Sequence, residues 1–211
     1  MTVPSALETR ATLSDFQVST GQDGGTVVTG YAAKFNTRSQ DLGGFVETIA
    51  PGAFTRALEE SHDVRALINH DPNLVLGRTT AGTLRLTQDD IGLRYEVDLP
   101  NTTAAKDLTE SLKRKDISQS SFSFRAIRED WSYDTDGREL RTLQDLELCD
   151  VSPVTYPAYL DTVSELTQRS RSNFKDARNS GGPSAHFVDL EMAHDALTAS
   201  FLNTFLSKEC I

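Results

Sequence analysis

The chain has 211 residues, 37% of them hydrophobic and 25% charged, and carries a net charge of −10 at pH 7. That is enough to bury the core of one main domain with an appendage, and its two cysteines, Cys149 and Cys210, form no Cys-x-x-Cys pair, which argues against a disulfide scaffold or zinc ribbon and fits a reducing compartment. The acidic balance argues against a nucleic-acid binder; no apolar run approaches the ~20 residues of a membrane span, and Met1 to Leu13 lacks a signal-peptide core, so a soluble protein of cytosolic origin is expected.

From the N-terminus, signals are weak up to Thr20, with Phe16 and Val18 opening a strand. The turn Gly21-Gln22-Asp23-Gly24-Gly25 joins it to a second strand, Thr26 to Ala32, as a hairpin. Phe45 to Ile49 is strand-like; Pro51 suits the first turn of a short helix carrying Phe54, Ala57 and Leu58 and ending near Ser61. Val64 to His70 is an apolar strand that Asp71-Pro72 should stop, which leaves His70 at a strand end or just beyond it. Leu84 and Leu86, then Leu93, Tyr95 and Val97, alternate about the turn Gln88 to Gly92 as another hairpin. Ala105, Leu108 and Leu112 share a helical face whose C-terminus is favoured by Lys113, Arg114 and Lys115.

The next stretch, Gln119-Ser120-Ser121-Phe122-Ser123-Phe124, reads as a strand with two unlike faces. Phe122, Phe124 and Ala126 point one way; Gln119, Ser121 and Ser123 point the other. Burying both rings pins the register and leaves hydroxyls on a rigid element. A polar turn at Asp134-Thr135-Asp136-Gly137 precedes Leu140, Leu143, Leu146 and Leu148, which lead to Asp150-Val151-Ser152-Pro153. Many short strands with few helices predict an α+β domain built on an antiparallel barrel or sandwich.

After Thr162 the composition turns to Ser, Arg, Asn and Gly. Residues 1–162 are therefore read as the main domain, 163–185 as a flexible linker and 186–211 as an amphipathic terminal helix with Phe187, Leu190, Leu197, Phe201 and Phe205 on one face. Such a helix suits packing on its own domain, on a second copy in a homo-oligomer, or on a different partner.

Serine needs a base within reach, itself oriented by a third group, and the chain holds such a set in Ser121, His70 and Asp150. A metal alternative would draw on His62, Asp63, His70 and Asp71, though their spacing is not that of a zinc helix.

Five ordered motifs carry a resemblance. Gly30-Tyr31-Ala32-Ala33-Lys34-Phe35-Asn36, Pro51-Gly52-Ala53-Phe54, Asn69-His70-Asp71, Ser121-Phe122-Ser123-Phe124 and the run Asp150 to Tyr159 together resemble the tailed-bacteriophage prohead (head maturation) protease family, over roughly Gly30 to Thr162. The resemblance implies an antiparallel β-barrel ringed by short helices, similar to herpesvirus assemblins. It also implies a cofactor-free serine endopeptidase packaged inside the procapsid in the bacterial host cytoplasm. There it would cut the major capsid protein or scaffold segments and then itself, with no nucleic-acid or membrane partner. By motif, the family's histidine falls on His70, its nucleophile on Ser121 and its acid on Asp150. The competing reading is a non-enzymatic scaffolding or capsid-assembly protein that keeps the protease fold.

Overall fold

The computed structural model describes residues 7–156, 165–179 and 188–189. Its elements are, in order, β1 (Glu8–Leu13), β2 (Gln17–Thr20), β3 (Thr26–Lys34), β4 (Phe45–Ile49), α1 (Thr55–Glu59), β5 (Arg65–Ile68), β6 (Asp71–Arg78), β7 (Leu84–Gln88), β8 (Gly92–Asp98), α2 (Thr103–Arg114), β9 (Gln119–Tyr133), β10 (Glu139–Val154), α3 (Glu165–Asn179) and β11 (Val188–Asp189).

The architecture is mixed α+β and mostly sheet. One sheet has the order β1-β9-β10-β5-β6, with β4 also on β10 and β11 on β9; the other, four-stranded, has the order β2-β3-β8-β7. The expected closed barrel is not what the described strands form, because the two sheets remain separate ladders. They face each other across a core of Phe122, Phe124, Leu146, Leu148 and Val151 from one sheet and Val28, Leu93, Tyr95 and Val97 from the other. Helix α2 closes one end through Ala105, Leu108 and Leu112, the face the sequence marked; Thr102 caps its N-terminus and Lys115 ends it in a left-handed conformation. Gly30 is demanded by close packing: a Cβ there would lie 2.8 Å from Ser14 Oγ and 3.0 Å from the Phe16 ring.

Helix α1 begins later than Pro51 suggests, because Gly52 (φ +89°) turns the chain away from helical geometry first. Pro72 does not stop a strand. It is the second residue of β6, at the edge of its sheet, where a missing N–H costs little.

The segment read as a flexible linker is helical over Glu165–Asn179. Its inward positions recur at helical spacing, Thr167, Ser170, Arg171 and Phe174, but only Phe174 is apolar, so no hydrophobic period announced it. Phe174 joins a second cluster with Leu42, Phe45 and Trp131. Arg171 donates to the carbonyls of Gly43 and Gly44 and to Glu139, and its guanidinium lies over the Phe45 ring. Val188–Asp189, placed by the sequence reading in the terminal helix, pairs with β9 instead; the rest of 186–211 lies outside the described residues.

Beside this second cluster lies a buried charge network. Arg141, fully buried, donates to Glu129, Glu47 and Glu8, and Arg10 also bonds Glu47 and Glu8. Thr167 of α3 donates to Glu8. Burial would raise the Glu8 pKa, but the Arg141 and Arg10 guanidiniums outweigh it and hold the carboxyl below its ordinary value.

Candidate active site

Three local features bring distant residues to one face of the larger sheet. The first is the alternation of β9. Ser120 points into the core, where its hydroxyl donates to Tyr95 Oη at 3.1 Å, while Ser121 and Ser123 point to the other face. Both faces are covered: Ser120, Ser121 and Ser123 are all buried.

The second is the hairpin between β5 and β6. Ile68 pairs with Asp71, which leaves Asn69 and His70 as a two-residue loop with φ of +52° and +58°. Positive φ at both central positions is the mark of a type I′ turn, which suits Asn first and usually Gly second. His70 takes the second place and is held there from outside. Asn69 N–H donates to the Pro153 carbonyl, Thr155 N–H donates to Asn69 Oδ1, and His70 N–H donates to Ser152 Oγ.

The third is a bulge in β10. Leu148 lies opposite Phe124 and Asp150 opposite Ser123, so Cys149 is an extra residue between them. Without it Asp150 would follow Leu146 and Leu148 into the core. With it, Val151 goes inward and Asp150 and Ser152 join the face of Ser121. The spacing Leu146, Leu148, Val151, two residues and then three, is the sequence trace of that shift.

His70 Nε2 lies 2.7 Å from Ser121 Oγ, and His70 Nδ1 lies 2.6 Å from Asp150 Oδ1. All three residues singled out from the sequence therefore meet. The Ser121 hydroxyl has a second acceptor, the Arg10 carbonyl of the adjoining β1, at 3.0 Å. His70 is the open side of the group, with 21% of its side chain exposed against 12% for Asp150. The residues of the metal alternative face different partners. His62 Nε2 bonds Glu60, and Asp63 is held by Arg78 and Arg65. Among the described residues no three His, Cys, Asp or Glu side chains cluster to hold a metal.

Sequence reasoning put Ser123 on the face of Ser121 but placed neither it nor Ser152 beside the histidine. Ser152 Oγ accepts the His70 backbone N–H and donates to Asp150 Oδ1 at 3.1 Å; Ser123 Oγ lies 3.1 Å from His70 Nδ1. Both follow from register, since Ser152 opposes Ser121 and Asp150 opposes Ser123.

A hydroxyl, an imidazole and a carboxylate in series are the arrangement of a serine hydrolase. Residues 14–177 match the model of the Caudovirus prohead serine protease family, and the chain belongs to that family. It is thus a serine protease of phage capsid maturation, and the non-enzymatic alternative is set aside. Among solved structures, that of the bacteriophage T4 capsid assembly protease, gp21, is similar with a TM-score of 0.49 and 8% identity, over 72% of this chain and 98% of that one. No curated protein sequence matches the chain.

Proposed function

We propose that Ser121 is the nucleophile, His70 the general base and then general acid, and Asp150 the group that orients the imidazole. The single observation carrying this is the pair of short contacts on opposite nitrogens of one ring, 2.7 Å to Ser121 Oγ and 2.6 Å to Asp150 Oδ1. With the Nδ1 proton donated to Asp150, the Nε2 lone pair faces the Ser121 hydroxyl. Nε2 takes the hydroxyl proton as Oγ attacks the scissile carbonyl carbon, and Asp150 favours the imidazolium so formed. The proton then passes to the leaving amine, and water repeats the sequence on the acyl-enzyme. The Ser121 hydroxyl has one proton and two acceptors, so it is competent only when that proton is directed at His70 rather than at the Arg10 carbonyl.

The substrates in this reading are the major capsid protein or scaffold segments, and the protease itself, inside the procapsid in the bacterial host cytoplasm. The terminal stretch 186–211 carries the protease into the procapsid or joins copies of it. Its deletion should abolish incorporation or dimer formation, and unchanged values for both would remove this role.

The test of the nucleophile is labelling with a fluorophosphonate, followed by mass spectrometry of the modified peptide. Modification at Ser121, lost in Ser121→Ala together with capsid-protein trimming while the circular dichroism spectrum is kept, is the expected result. Trimming by Ser121→Ala, or a label on Ser123, would overturn the assignment.

A further inference from the structure

Strand β10 pairs with β4 up to Leu143 and with β5 from Asp150. Between those partners, over 144–149, that edge meets no strand among the described residues. A cavity of about 540 Å3 lies at the gap, lined by Arg56, Asp63, Arg65, Arg125, Glu147 and Cys149 among others. Three guanidiniums therefore surround one hollow in a chain whose net charge is −10.

Their hydrogen bonding is incomplete. Arg56 uses Nε on Asp145 and Nη1 on Glu60, and Arg65 is held by Asp63. Arg125 makes only long contacts from Nη1, 3.3 Å to Glu147 and 3.4 Å to Cys149 Sγ. Arg56 Nη2 and Arg125 Nε are buried with no acceptor. Unsatisfied buried donors are rare in folded proteins and mark a place where an acceptor belongs. Both side chains are about a third exposed as a whole, and both line the hollow. Asp63 and Glu147 line the hollow and Asp145 and Glu60 hold Arg56, so the guanidiniums are already matched in charge and it is their unused N–H groups that the hollow offers to an acceptor.

The cavity lies on the face used by Ser121. Ser121, Ser123 and Arg125 alternate on one side of β9, and Arg65 sits beside Asp150 in register. Arg125 is the fourth residue along the strand from Ser121, about 13 Å at the usual rise. An extended peptide passing Ser121 advances at the same rate, so the side chain about four residues from its cut arrives here. Resting on the reading of Ser121 as nucleophile, we propose that this hollow is a substrate subsite for an acidic side chain, whose carboxylate is received by Arg125, Arg65 and Arg56. Planar guanidiniums suit that ligand, because their paired N–H groups match the two oxygens of a carboxylate.

The experiment uses the full chain and peptides spanning the capsid-protein cut located by mass spectrometry. Each peptide is made with Glu or Gln at the fourth residue on either side of the cut. The wild type should cleave the Glu form about tenfold better on one side, through a lower KM, as a charge-assisted hydrogen bond allows. In Arg125→Gln and in Arg65→Gln that ratio should shrink to about twofold. Equal cleavage of the two forms by the wild type, or a ratio that survives both substitutions, overturns the subsite. Fluorophosphonate labelling of the wild type separates the two failures. Labelling at Ser121 without a Glu preference overturns the subsite alone, whereas absence of labelling overturns the nucleophile and the subsite with it.

Discussion

Replacing Asp150 by asparagine tests how the imidazole is held. The substitution keeps size but removes the charge 2.6 Å from His70 Nδ1. In triads where the carboxylate is the sole acceptor for that N–H, neutralising it costs about 10⁴ in kcat, because the ring adopts the wrong tautomer and its imidazolium loses its counter-charge. Here Ser123 Oγ at 3.1 Å and Ser152 Oγ at 3.4 Å also approach Nδ1 and can accept its proton. A neutral hydrogen bond is worth about 0.5–1.5 kcal/mol, close to one factor of ten in rate. The loss in Asp150→Asn should therefore be about 10³ rather than 10⁴, and it should move toward about 10⁴ in Asp150→Asn with Ser123→Ala, which leaves only the longer Ser152 contact. Ser123→Ala alone should cost about threefold or less, since the carboxylate already satisfies the ring. The assay is single-turnover cleavage of a capsid-derived peptide, with fluorophosphonate labelling rates measured alongside. A loss below about tenfold in Asp150→Asn would refute Asp150 as the orienting group. Equal effects of Ser123→Ala in both backgrounds would refute the reserve role of Ser123.

Three further outcomes are expected. Ser152→Ala removes the acceptor of the His70 backbone N–H and a donor to Asp150, so the left-handed hairpin loosens; kcat should fall about tenfold to a hundredfold with KM little changed, and a rise in KM alone would count against it. Arg141→Met takes the shared cation from three buried carboxylates, leaving Arg10 on Glu8 and Glu47 and the Trp131 N–H on Glu129, and should lower stability by about 3–5 kcal/mol, read as a fall in the urea midpoint. Glu8 has a folded pKa below its ordinary value of 4.5, so its contribution is complete above that value and disappears as pH falls through the folded pKa. Urea midpoints measured from pH 7 down to pH 4 and below should decline, and Glu8→Gln should flatten the decline.

What could be read without coordinates followed apolar periodicity. Phe122 and Phe124 dictated which serines face the core, so Ser121 was separable from Ser120 before any distance was known. His70 was legible as lying at a strand end or just beyond it, from the apolar run before it and the Asp71-Pro72 after it, although the left-handed pair Asn69-His70 was not. Asp150 was legible as an acid entering the last strand but its face was not, since the period of β10 sends it inward and only the extra residue Cys149 reverses that. Strand β1 escaped notice because its inward residue Glu8 and its neighbour Arg10 are charged, and a sequence that buries ions in pairs looks like surface. Helix α3 escaped for a related reason: Thr167 and Ser170 are buried polar residues, and a single Phe174 makes no pattern.

The bond from Thr167 to Glu8 joins positions 159 residues apart, both tied to the same arginine-centred network. It works as a clasp. A nick that released the strand carrying Glu8 would take a carboxylate from two arginines in a dry interior at a cost of several kcal/mol, against a total stability of about 5–15 kcal/mol for a typical domain, whereas loss of the other extremity would remove the Thr167 hydroxyl that covers the network. An enzyme that turned on its own chain at the clasp would forfeit its fold along with the segment it released, and its working life would end with that cut.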